Sequence, residues 1–153
     1  MGFEMAAALN TPYGGKLVDR MSARSRDEIL REAAALPDVV LGTRQICDLE
    51  LILNGGFSPL TGFMGKAAYE GVVSSMRLPQ GRLWPMPITL DVDPETAKRV
   101  SSAGKAALRS PEGSLLAILS VSDVWTPDRA AEAQAVFGTI DPLHPGAAYL
   151  LQR

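Results

Sequence analysis

The residues able to do chemistry are few and scattered. His144 is the only histidine and Cys47 the only cysteine. A Ser-His-Asp constellation would have to be centred on His144, which sits in "DPLHPG" (141–146) between two prolines; a turn histidine whose ring caps a backbone group is the expectation. A metal site of the His-rich kind is excluded. Cys47 falls in an apolar helical pattern and is expected as a small buried hydrophobe, and no intrachain disulfide can form. Asp48 and Glu50 lie two apart, a spacing that does not place both carboxylates on one helix face, so salt links and capping are expected of them. "YGGKL" (13–17) sets glycines beside Lys16, but a phosphate-cradling loop needs a glycine five residues before its Gly-Lys and a Ser or Thr after it. Asn10 and Leu17 occupy those positions. "NGGFSPLTG" (54–62) has no lysine and follows a helical pattern instead of opening one. No catalytic, substrate-binding or metal-ligating residue is assigned.

The totals describe the body that carries these residues. With 153 residues, 46% apolar and 21% charged, the chain fits one globular domain with a substantial core. The net charge of −2, with no run of Lys or Arg, argues against a phosphate-backbone partner. No apolar run approaches the roughly 20 residues that span a bilayer, and "MAAAL" lacks the flank of a signal peptide, so a cytoplasmic location is expected.

Along the chain, residues 1–24 show turn chemistry and little periodicity and are read as an arm; residues 25–153 form the domain. Ser25 and Glu28 match a capping box for a helix over 25–36, stopped by Pro37. "VVLG" (39–42) reads as a strand. Thr43 is the expected cap of a second helix, with Ile46, Leu49, Ile52 and Leu53 on its buried face and Asn54-Gly55-Gly56 at its end. A third helix is predicted over 66–76, a strand over 86–92 and a short helix over 94–104. Residues 105–125 read as a hairpin closed by "SPEG", whose second arm "LLAILSV" suggests a central strand buried on both faces. Thr126-Pro127 is the expected start of a helix ending at Gly138, and "AAYLLQ" (147–152) reads as a strand awaiting continuation. Short strands interrupted by helices give an α+β class.

Several long words carry more. "GGKLVDR", "RQICDLELILNGGFSPLTGFM", "LWPMPITLDV", "ALRSPEG", "LAILSVSDVW", "EAQAVFGTIDPLHPG" and "AYLL", in that order over residues 12–151, resemble the N-terminal domain of the sulfate adenylyltransferase (ATP sulfurylase) family. Tyr13 departs from the histidine that the family often carries ahead of "GGKL". The resemblance implies a PUA-like mixed β-barrel with flanking short helices. It also implies a following catalytic domain that converts ATP and sulfate to adenosine 5′-phosphosulfate and pyrophosphate, with ATP and Mg as that domain's requirements. The catalytic signature, Gln-x-Arg-Asn-Pro followed by paired histidines, is not among these residues. The expectation is therefore a scaffold domain, inactive alone, whose partner is a catalytic domain or chain and which could form a homo-oligomer. The alternatives are an RNA-binding PUA-like module and a stand-alone partner of a separate catalytic chain. The apolar loop at Phe57, Leu60, Phe63 and Met64 is expected to pack back onto the body.

Overall fold

The computed structural model describes residues 10–152. Its first helix, α1 (Arg26–Ala33), starts as its sequence dictates: the Ser25 Oγ accepts from the Glu28 N–H at 3.4 Å, and the Glu28 carboxylate accepts from the Ser25 N–H at 3.0 Å. Pro37 then releases the chain into β1 (Asp38–Val40). Helix α2 (Thr43–Leu53) begins one residue earlier than expected of a threonine cap. Gly42 is the N-cap, and the Gln45 side chain takes up its N–H at 2.9 Å, so Thr43 is the first helical residue. Helix α3 (Lys66–Ser75) follows, then α4 (Pro94–Ala103), whose Asp93 cap accepts from the N–H groups of Glu95 and Thr96.

The hairpin forms as predicted. β2 (Lys105–Arg109) and β3 (Leu115–Ser120) pair antiparallel, and the turn is held by Gly113 N–H to Ser110 O and Ser110 N–H to Ser114 O. β1 pairs parallel with β2, giving a three-stranded sheet in the order β1-β2-β3. Two expectations change here. The central strand is β2, with Ala106, Ala107 and Leu108 all buried, whereas β3 is half-exposed at an edge. The continuous apolar run misled because β2, flanked by a strand on each side, is the buried one although two of its three buried side chains are small alanines. The sheet is also open: it closes no barrel among the described residues.

Residues 86–92, expected as a strand, join no ladder. Pro85 and Pro87 remove two donors, and side chains and loops take the remaining backbone groups: Met64 N–H donates to Ile88 O at 2.8 Å and Gln45 Nε2 to Asp91 O at 2.9 Å. The alternation still serves packing. Ile88 enters one core cluster while Leu90 and Val92 lie against the other.

The C-terminal part contributes two helices. Helix α5 (Arg129–Phe137) is capped by Asp128, two residues later than the expected Thr126, and ends at Gly138 with φ of 71°. Residues 147–152, expected as a strand, instead belong to α6 (Pro145–Leu151) and its C-cap, Gln152. The decisive signals are local: His144 caps it through Nδ1, which accepts from the Ala147 N–H at 3.3 Å, and Pro145 occupies the first helical position. Ala147 and Leu150, three apart, then share the buried face.

Two main core clusters meet at Phe63. One gathers Val39, Leu41, Leu49, Val100, Ala106 and Leu108 on one sheet face; the other gathers Ile52, Leu60, Met64, Val72, Leu78 and Ile88. The apolar loop thus packs back as expected: Leu60 and Met64 are buried, and Phe57 meets Trp84 edge-on at 5.8 Å. Residues 10–24 run across this loop, with Val18 N–H donating to Ser58 Oγ at 2.9 Å and Arg20 N–H to Leu53 O at 3.1 Å. Gly55 must be glycine here. Its φ is +83°, and a Cβ would stand 2.7 Å from Leu17 Cδ1.

Candidate functional site

An open groove of about 1240 Å³ lies over the sheet. Its floor is the sheet face of Val39, Ala106, Leu119 and Val121; residues 89–94 form one side and Trp125, Tyr149 and Leu150 the other. The groove therefore exists because α5 and α6 stand away from the sheet, and its shape depends on what holds them.

Four contacts do so. The Tyr69 hydroxyl of α3 donates to Glu132 Oε2 of α5 at 2.9 Å, with both residues buried. Burial, and then the neighbouring carboxylate, push the phenol's pKa well above its usual value, so it remains a donor throughout the physiological range. Its ring also packs against Trp125, centroids 5.8 Å apart. Arg129 Nη1 donates to the Leu150 carbonyl at 3.2 Å, binding α5 to the end of α6. Finally, the Arg44 guanidinium lies 4.7 Å from the Tyr149 ring centre, linking α6 to the start of α2.

The charged groups of the groove are engaged in structure. Asp123 Oδ2 accepts from the Lys66 N–H at 2.8 Å, at the positive end of α3. The Asp93 carboxyl is held below its usual range, chiefly by its bonds to Thr96, as it caps α4. Arg44 and Arg129 have the partners just described. The groove thus offers an apolar floor with satisfied charges along its rim, chemistry suited to covering protein surface. The buried Trp125 indole N–H is the exception, having no acceptor among the described residues.

No nucleophile with a paired base emerges. His144 caps α6, packs 5.3 Å from the Phe137 ring and does not line the groove. Its expected role as a capping turn histidine holds. Cys47 is exposed, not buried: α2 turns Leu49 and Ile52 inward and Cys47 outward. Asp48 is half-buried on α2 and Glu50 exposed. Tyr13 donates its hydroxyl to the Leu83 carbonyl at 3.0 Å, and Lys16 is exposed. Among the described residues no group of three or more His, Cys, Asp or Glu side chains could hold a metal ion. Sequence reasoning missed the Tyr69–Glu132 pair and the Arg44–Tyr149 stack. Each joins residues far apart in the chain, and nothing local announces them.

A model of the PUA-like domain matches residues 10–153. The chain belongs to the PUA-like domain family. Within it, the chain is 51% identical over 142 residues to the sulfate adenylyltransferase of Eremothecium gossypii, covering 92% of this chain and 28% of that protein. The sulfate adenylyltransferase of Symbiobacterium thermophilum is 46% identical over 143 residues, covering 93% of this chain and 36% of that protein. Among solved structures, "Hexameric APS kinase from Thiobacillus denitrificans" matches with a TM-score of 0.69 and 43% identity over 78% of this chain and 24% of that one. This PUA-like chain thus spans about a third or less of the relatives it matches. No helix among its described residues is long and apolar enough to cross a membrane.

Proposed function

We propose that this chain is the N-terminal scaffold domain of a sulfate adenylyltransferase, with residues 1–24 as an arm and 25–153 as the PUA-like unit. The observation that carries the reading is the lopsided coverage: 92% of this chain against 28% of a sulfate adenylyltransferase, at 51% identity. The parent enzyme would convert ATP and sulfate to adenosine 5′-phosphosulfate and pyrophosphate in the cytoplasm. ATP and Mg²⁺ would be handled by polypeptide beyond these residues. Attack of sulfate on the α-phosphate accumulates charge between two anions, which fixed cations and hydrogen-bond donors must stabilise. The groove described above holds two arginines, Arg129 bonded to a backbone carbonyl and Arg44 stacked on the Tyr149 ring. Its apolar floor suits contact with the catalytic domain.

Pyrophosphate release in the presence of ATP, sulfate and Mg²⁺ tests this. The chain alone is expected to release none, and adding the remaining polypeptide of a sulfate adenylyltransferase is expected to restore turnover. Turnover by the chain alone would overturn the reading. An RNA-binding role is not favoured, because the acidic balance of the chain opposes it.

A further inference from the structure

Two segments far apart in the chain, 12–18 and 76–84, meet at the surface. The Tyr13 hydroxyl donates to the Leu83 carbonyl at 3.0 Å, and Arg82 Nη2 donates to the Gly14 carbonyl at 3.4 Å. The second segment is a tight return, with Leu78 N–H donating to Arg82 O at 2.9 Å and Trp84 N–H to Met76 O at 2.8 Å. Tyr13, Leu17, Met76 and Leu83 are each half or more exposed on these segments. Among them stand three cations: Lys16 and Arg77, both exposed, and Arg82, half-buried. Neither segment contains an Asp or a Glu. The flanking acids are engaged elsewhere: Asp19 accepts from the Met21 N–H at 2.8 Å, and Glu70 lies 3.8 Å from Lys66. None of the three cations has a carboxylate partner among the described residues.

Met76 adds a second, independent sign. It closes α3 in the left-handed region, with φ of 53° and ψ of 40°, where glycine is the unstrained choice. Its side chain belongs to none of the core clusters. The fold therefore carries strain at this position in order to present a flexible, polarizable side chain to the outside. The arginines are also prepared. Backbone carbonyls hold both guanidinium groups, Arg82 through Gly14 and Arg77 through Gly81 at 3.4 Å, and the planar fork of such a group matches a carboxylate. Tyr, Met and Arg are the residue types enriched where proteins meet proteins. A phosphate backbone would gain nothing from the apolar side chains that separate these cations.

We propose that this surface docks an acidic, amphipathic segment of a partner protein. Its carboxylates meet Lys16, Arg77 and Arg82, and its large apolar side chains cover Tyr13, Met76 and Leu83. Charge complementarity selects the partner and speeds the encounter, while the apolar contacts supply the affinity. None of these six residues lines the groove, so the surface is separate from it and does not depend on the function proposed for the chain.

Fluorescence anisotropy of a labelled synthetic peptide, with leucines at helical spacing i, i+3, i+4 and i+7 and glutamates between them, tests this on the intact chain. Polyglutamate of the same length and poly(U) RNA are the comparison probes, all at about 0.1 M salt. The Glu-Leu peptide should bind with a dissociation constant on the order of 10–100 μM, at least about tenfold more tightly than polyglutamate or poly(U). Arg77→Glu reverses one charge and should weaken binding about tenfold or more. Met76→Gly should weaken it severalfold while the melting midpoint holds or rises, because glycine relaxes the left-handed turn. Loss of binding with undiminished stability cannot come from unfolding. Absence of saturable binding up to about 1 mM, equal binding by polyglutamate or poly(U), or unchanged affinity in both variants overturns the proposal. Pyrophosphate release is not part of this readout, so the result stands apart from the assignment to sulfate adenylyltransferase.

Discussion

Replacing Tyr69 with phenylalanine tests what holds the groove open. The substitution removes one oxygen and keeps the ring that packs on Trp125. What is lost is the 2.9 Å bond to the buried Glu132 carboxylate. A hydrogen bond to a charged group contributes about 1.5–3 kcal/mol, and Glu132 has further interactions that keep it from being stranded outright, so about 2 kcal/mol is expected. For a chain of this size each kcal/mol lowers the melting midpoint by about 2–4 °C, giving a drop of about 4–8 °C. Thermal unfolding followed by circular dichroism measures it. Hydrogen exchange should locate the effect in α5 and α6, because Tyr69 is their buried link to α3. Glu132→Gln, which keeps an acceptor for the hydroxyl, should cost less than Glu132→Ala. A melting midpoint unchanged within a degree, with unchanged exchange in α5, would refute the view that this bond anchors the C-terminal helices.

Phe63→Ala should cost about 3 kcal/mol, since the ring packs against both main clusters; an unchanged urea midpoint would place it outside the core. Gly55→Ala should destabilise by more than about 1 kcal/mol, because the φ of +83° disfavours a side chain and the new methyl would meet Leu17 and the Val18 carbonyl, and the same denaturation curve reads it. The Glu32 carboxyl is held below its usual range by Lys105, 2.6 Å away, and then by Arg24. A depressed folded-state value means that its contribution is present above the unfolded-state value and is lost as pH falls through the folded one. Glu32→Gln should therefore flatten part of the acid-side loss of stability, and identical pH profiles for the two proteins would contradict this.

Much of the architecture was legible from local chemistry. The Ser25–Glu28 box and the "SPEG" turn are short-range signals in which the residues that specify the geometry are neighbours. The apolar loop was legible too, since Leu60 and Met64 have no reason to interrupt breakers except burial. Where the reading failed, a short apolar pattern had to be assigned without its partners. Leu150 and Ala147 suit either a strand or a helix, and the His144-Pro145 cap decided for the helix. The alternation at 86–92 is real, but a strand also needs a neighbour to accept its donors, and two prolines had removed them. The groove itself was not legible, because the residues that shape it, Tyr69, Glu132, Arg44 and Tyr149, meet only once the chain is folded.

The misread segments are not scattered at random over the molecule. Residues 89–92 form one side of the groove, and Tyr149 and Leu150 of α6 stand on another. Both segments carry more apolar character than their own secondary structure needs. The segment 88–92 has no strand partner, and Ile88 packs in one cluster while Leu90 and Val92 pack against the other. Tyr149 remains 39% exposed despite its stack with Arg44. An exposed ring promotes association with other apolar surface. Conflict between local pattern and local structure is expected where a surface serves something beyond the fold. Its concentration around one groove, in a chain that spans 28% of a sulfate adenylyltransferase, is the pattern a domain would show if the remaining polypeptide packed there.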